Sequence, residues 1–334
     1  MKELKPDHRI KMFEESSKSH ASKNIFVQIL IFLIVFFLIY ILQSLIAYVI
    51  ALPDIMKEIG KDNDVLQGTK KVTYSYSKEV TYDIFGRTKG RLILLFSTLI
   101  GTVSSIFYCR CIEMRKVSSM GARKRKLVKH YLGGLVVGAV MMTVITLLTV
   151  VSGANSIKLC TGINFGIIAL YFLGFFFQGM SEEFIFRGYL MNTVGGANSP
   201  AIAIGVSSVA FGLAHISNPG INVLAMTNLI LFGVFAAVYM IYFDDIWGGC
   251  AIHSIWNFTQ GNLYGISVSG SGDSESVFRT SAKSSHTFLT GGEFGIEGSI
   301  FTTIVLLSGL AVVAFLIKKN GIATTKNTNE TQSS

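Results

Sequence analysis

The stretch Ser181-Glu182-Glu183-Phe184-Ile185-Phe186-Arg187 sets two carboxylates and a guanidinium at the end of an apolar run that begins near Ile163. Inserting each such charge into a bilayer costs about 2.5–3.5 kcal/mol, so the charges need partners and a purpose. His215 and His253, on later apolar segments, are the candidate partners. On a helix, Glu183 and Arg187 stand i,i+4 and can pair on one face, while Glu182 points about 100° away. Phe211 with His215, and His253 with Asn257, repeat the i,i+4 spacing, which presents both members of a pair to one side. The assembled set is one free carboxylate, two imidazoles and an amide, supported by a Glu–Arg pair.

Those groups suit hydrolysis. A carboxylate partly stripped of water can take a proton from a water molecule, and an imidazole can share that water. A histidine and an asparagine can donate hydrogen bonds to the oxyanion of a tetrahedral intermediate. Glu182, His215 and His253 also match the ligand types of catalytic zinc, with a fourth position left for water. Two readings from other classes use the same residues: a proton-coupled transporter, and a non-catalytic membrane scaffold or immunity factor. Compatible depth on consecutive spans favours a functional site over coincidence. Glu182 lies about 20 Å before the turn near Gly195, His215 about 24 Å after it, and His253 about 12 Å beyond the Asp244-Asp245 turn, at 1.5 Å per helical residue.

The elements that must position these groups are membrane helices. Of 334 residues, 50% are hydrophobic and 15% charged, with a mean hydropathy of +0.52; soluble domains carry roughly 25% charge. The fold class is all-α, a polytopic membrane protein with about eight transmembrane helices, at 25–52, 92–112, 131–152, 163–195, 200–216, 221–243, 246–266 and 298–317. The formal charge of +9 comes from basic residues that flank these spans, as topology determination by Lys and Arg requires. No nucleic-acid partner is expected, even from Arg123-Lys124-Arg125-Lys126. Both termini are expected in the cytoplasm of a plasma membrane, and the Lys-rich, proline-poor composition suits a bacterial one.

Four regions follow: a polar tail, 1–24; a three-span region, 25–162, with an outer loop at 53–91 and a basic inner loop at 110–130; a core, 163–267; and 268–334, an outer loop, the last span and a polar tail. Within the first outer loop, KVTYSYSKEVTYDIF alternates like a small exposed hairpin. The Gly/Ser-rich stretch 267–296 has the composition of a flexible linker. Gly-rich YLGGLVVGAVMMT in span three suits close helix packing. Cys109, Cys111, Cys160 and Cys250 show no metal-finger or redox spacing.

Glu182-Glu183-x-x-x-Arg187, Phe211-x-x-x-His215 and His253-x-x-x-Asn257, in that order and with the flanks EEFIFRGYL and FGLAHI, resemble the CPBP (ABI, CAAX protease-like) family of intramembrane proteases. That family includes type II CAAX prenyl endopeptidases and bacterial proteins linked to bacteriocin processing and self-immunity. The resemblance covers about 163–267. It implies an eight-helix membrane fold with a cavity open to the cytosol, and cleavage of a peptide or membrane-protein substrate. Glu182 would match the glutamate that activates water with His215, and His253 with Asn257 the oxyanion pair. Glu183, Arg187 and Phe211 would support them. The family has been called metalloprotease, so zinc held by Glu182, His215 and His253 is one implied mechanism, and a metal-free glutamate–histidine pair is the other.

Overall fold

The computed structural model describes residues 10–272, 274–283 and 285–322, without the side chain of Asn63. The first nine residues of the expected N-terminal tail and the last twelve of the C-terminal tail lie outside the described residues. The helices in chain order are α1 (Lys11–Ser17), α2 (Ile25–Ile59), α3 (Asn63–Leu66), α4 (Tyr74–Gly86), α5 (Thr88–Ser97), α6 (Leu99–Cys111), α7 (Leu127–Val151), α8 (Phe165–Glu183), α9 (Asn192–Gly195), α10 (Pro200–Leu213), α11 (Val223–Phe243), α12 (Trp247–Phe258), α13 (Thr287–Thr290) and α14 (Ile300–Asn320). Among the described residues, one antiparallel ribbon, β1 (Asn155–Leu159) with β2 (Phe278–Ala282), and several short 3-10 and π-helical segments complete the secondary structure.

Among the described residues, six segments are long and apolar enough to cross a bilayer: Ile25–Ile59, Thr88–Cys111, Leu127–Val151, Phe165–Gly195, Val223–Phe243 and Ile300–Asn320. Several apolar helices of this kind make a multi-pass membrane protein. The two other expected spans are shorter helices, α10 and α12, the latter prolonged by a π-type turn at Thr259–Leu263. All eight expected segments are thus helical, and the count of about eight becomes six by length and composition. Capping chemistry starts several of them. Asn24 accepts from Phe26 N and Val27 N at α2, Ser199 precedes Pro200 at α10, and Ser299 caps α14; each satisfies N–H groups that a helix leaves open. On α2, Leu33, Ile34, Phe37, Leu38 and Ile41 are all exposed, an apolar surface suited to lipid.

The loops sort onto two faces. One carries α1, the basic loop and the Asp244-Asp245 turn: Gly121 O accepts from Ile246 N, Arg123 pairs with Glu15 and Asp244, and Asn320 at the end of α14 reaches the Tyr242 hydroxyl. Both described ends of the chain therefore share this basic face. The opposite face carries α3, α4, the ribbon, the 214–222 turn and the 264–299 loop. The Gly-rich helix packs as its composition implies. A Cβ on Gly138 would stand 2.5 Å from Ile255 Cγ2 and 2.6 Å from the Ile252 carbonyl of α12, so only glycine allows this approach.

Two expectations are corrected. The stretch read as a hairpin is helix α4, because Thr73 caps it through Tyr76 N and its Val80 and Ile84, one turn apart, pack on Ala51 and Ile55 of α2. The stretch read as a flexible linker is a fastened lid. Glu297, 7% exposed, accepts from Trp256 Nε1, Gln260 Nε2, Ser269 N and Ser269 Oγ at 2.8–3.3 Å. One buried carboxylate thereby ties the loop to α12 and its π-turn.

Candidate active site

Glu182 and Glu183 sit at the last residues of α8, where the helix passes into a π-helical segment, Phe184–Met191. Such segments are rare and frequent at functional sites. The two carboxylates diverge as the spacing predicts. Glu183 Oε1 accepts from Arg187 Nη1 at 3.0 Å and from His253 Nδ1 at 2.9 Å. Glu182 turns into a cavity of about 400 Å³ instead. There its Oε2 lies 3.9 Å from His215 Nε2 and 3.7 Å from His253 Nε2, and it has no hydrogen-bond partner within the protein. These separations are too long for direct hydrogen bonds and short enough for the three atoms to share one water.

Each imidazole is oriented by its other nitrogen. His215 follows the last turn of α10, and its Nδ1 meets the Phe211 carbonyl at 2.9 Å, so Nδ1 carries the proton and Nε2 presents a lone pair. His253 Nδ1 is held by the Glu183 carboxylate, which likewise directs Nε2 at Glu182. Phe211 is the wall between them: its ring centroid is 4.9 Å from His215, 5.7 Å from His253 and 4.5 Å from the Arg187 guanidinium. Arg187 has 0% exposure, and the aromatic face over its charge adds to the Glu183 pair.

Asn257 is one turn beyond His253 and donates Nδ2–H to Gln178 Oε1 at 2.7 Å. Gln178 in turn donates from Nε2 to Glu182 Oε1 at 2.6 Å. All seven expected site residues therefore meet, in a chain running Asn257–Gln178–Glu182 on one side and Arg187–Glu183–His253 on the other. Gln178 was not expected. Its spacing, four residues before Glu182 on the same helix, was the available signal. α8 approaches α12 closely enough for this because Gly179 lies against Ser254, where a Cβ would come within 2.5 Å of Oγ.

The donor types around Glu182 are those of zinc. Among the described residues, however, no group of three or more His, Cys, Asp or Glu is arranged to hold a metal ion.

The cavity wall runs from Phe36, Tyr40 and Gln43 of α2, past Glu182, to Asn218, Ser269 and Ser274. These last residues belong to the face opposite the basic loop. On the basic side the ring centroids of Phe184 and Trp247 are 6.0 Å apart, and Trp247 Nε1 is fastened to the Arg123 carbonyl, while α10 stops at Leu213.

Residues 164–259 match the family described as Rce1-like, type II CAAX prenyl endopeptidase. This segment contains all three motifs, and over it the chain is similar to the CPBP, or CAAX protease-like, family. The match supports an intramembrane endopeptidase of the CAAX type in general terms. No curated protein and no solved structure matches the chain.

Proposed function

We propose that the protein is an intramembrane endopeptidase in which Glu182 activates water against a peptide bond drawn into the cavity. One observation carries this reading: a carboxylate oxygen without a protein partner faces the Nε2 atoms of two oriented histidines at 3.9 and 3.7 Å. A scaffold gains nothing from holding a carboxylate oxygen unpaired in this way.

Water held between Glu182 Oε2 and His215 Nε2 gives a proton to Glu182 as its oxygen attacks the scissile carbonyl carbon. The resulting oxyanion receives hydrogen bonds from the second N–H of Asn257 and from His253, whose imidazolium form is supported at Nδ1 by Glu183. Collapse of the intermediate breaks the C–N bond, and the proton on Glu182 passes to the departing amine. A single preorganised donor to such an oxyanion is worth roughly 2.7–4 kcal/mol. Glu183, Arg187 and Phe211 act by fixing His253 and His215.

The substrate is a peptide or membrane-protein segment of a bacterial plasma membrane, with the basic face in the cytoplasm. The test compares membrane and secreted peptides from wild-type cells with those from cells carrying Glu182→Gln. A substrate that accumulates uncut in the variant, with the variant protein present in the membrane at normal level, supports the reading. Cleavage retained in Glu182→Gln refutes Glu182 as the base.

A further inference from the structure

In the π-helical segment, four consecutive carbonyls, Phe186 to Tyr189, each accept a hydrogen bond from a side chain. Ser207 Oγ of α10 donates to the Phe186 carbonyl at 2.8 Å. Asn192 Nδ2 donates to those of Arg187 and Gly188 at 2.8 and 3.2 Å. Arg115 Nη2 donates to those of Gly188 and Tyr189, both at 3.3 Å. An α-helix closes its carbonyls with the N–H four residues on. The π form is rare and replaces those bonds with i→i+5 ones, so donors from outside the helix help to hold it. Arg115 reaches this segment from the basic loop and is itself fixed and buried. Its Nε donates to Glu113 Oε2 at 2.6 Å and its Nη1 to Ser119 Oγ at 3.0 Å. Thr193 Oγ1 bridges the pair, accepting from Arg115 Nη2 at 3.2 Å and donating to Glu113 Oε1 at 3.0 Å. The Glu113 carbonyl in turn accepts from His20 N at 2.9 Å.

We infer that Arg115 is a positioning residue for the active site: it holds the π turn whose phase sets Arg187 beside Glu183, and so holds Glu183 against His253. Both carboxylates of the site stand immediately before the turn, and Arg187 lies within it. Glu183 Oε1 accepts from Arg187 and His253 together, and the Arg187 guanidinium lies over the Phe211 ring. Relaxation of the turn to α-helical bonding rotates the chain after Glu183 and carries Arg187 away from both partners. The Nδ1 contact that directs His253 then loosens, although Arg115 neither lines the cavity nor touches a group in it. The basic loop, and through His20 the N-terminal segment, are thereby coupled to the reacting centre. Only the expected effect on rate rests on the endopeptidase reading; the effect on His253 does not.

The test uses the full chain in nanodiscs, with nitrogen-15 in the rings of its six histidines. The His253 signal is assigned by its loss in His253→Gln. Glu113→Gln/Arg115→Met removes the buried pair without stranding one charge, and should shift the His253 Nδ1–H resonance or lose it to exchange with solvent. Arg115→Lys keeps a charge but not the planar fork that serves Glu113 and two carbonyls at once. It should move the resonance part-way, and it decides alone if the double variant does not reach the membrane. Val80→Ala, which thins the contact between α4 and α2, should leave the resonance in place even if it melts at a lower temperature. On the substrate found by the peptide comparison, the double variant should lose roughly 10- to 100-fold in kcat, the scale of a misplacement by an ångström. KM should stay within about twofold. An unmoved His253 resonance, a loss confined to KM, or an equal shift in Val80→Ala overturns the positioning role and leaves Arg115 as a structural tie. Absence of cleavage by the wild-type protein would refute the endopeptidase reading and leave the histidine result standing.

Discussion

Replacing Gln178 by leucine keeps the shape of the side chain and removes two hydrogen bonds, from Asn257 Nδ2 at 2.7 Å and to Glu182 Oε1 at 2.6 Å. A neutral hydrogen bond contributes about 0.5–1.5 kcal/mol and one to a charged group about 1.5–3. If some 2–3 kcal/mol of this positioning is expressed at the transition state, kcat falls by roughly 30- to 150-fold, at 1.4 kcal/mol for each factor of ten. KM should change little, because neither hydrogen bond reaches the substrate. The assay is steady-state cleavage, in nanodiscs, of the substrate found by the peptide comparison, with thermal unfolding in parallel. Gln178→Glu keeps an acceptor for Asn257 but sets a second carboxylate against Glu182, and should be slower than the leucine variant. A leucine variant with kcat within threefold of wild type, or with its loss confined to KM, would refute the positioning argument.

Glu183→Gln should cost about 3–5 kcal/mol of stability, because it leaves the fully buried Arg187 charge without its partner. Activity should fall at least 100-fold, about as expected when an oriented imidazole loses its carboxylate; an unchanged melting temperature would be the contrary result. Gly138→Ile drives a side chain into Ile255 and the Ile252 carbonyl. It should cost about 1–3 kcal/mol and lower activity as α12 shifts, whereas Gly133→Ile, with nothing within 4 Å of its Cβ position, should do neither. Outside the membrane, hydrogen bonds from Tyr76 and Lys70 hold Asp62 down at about 2. Because this folded value lies below the ordinary one, the contribution of the contact is present above the ordinary carboxylate range and is lost as pH falls through about 2. Tyr76→Phe should move the Asp62 titration upward in a carbon-13 NMR experiment, and an unmoved titration would show that Lys70 alone holds it.

Much of the site was legible because charge is conspicuous in an apolar chain. The divergence of Glu182 from Glu183 followed from helix phase alone, and the i,i+4 spacing of His253 and Asn257 placed both against α8. Gln178 escaped because an uncharged amide in FFFQGM raises no such alarm, although the same phase argument reaches it. Glu297 escaped for a different reason: its hydrogen-bond partners lie 28, 37 and 41 residues away, and no local pattern encodes a tie of that length. Composition then misled, since Gly and Ser are the residues of a flexible linker and equally of tight turns fastened by a distant carboxylate. The hairpin reading of 71–85 failed because alternation of Thr, Tyr and Val competed with a Thr73 cap and an i,i+4 apolar pair facing α2.

Glu297 also sets an order of events. Every residue with a place at the reacting centre has been synthesised by Asn257, yet the carboxylate that draws Trp256, Gln260 and Ser269 together comes 40 residues later, just before the last helix. The growing chain therefore carries its complete reactive set for some time before the lid can be fastened. Final closure coincides with the arrival of α14 beside α11. Delivery of a covered site is thereby coupled to insertion of α14.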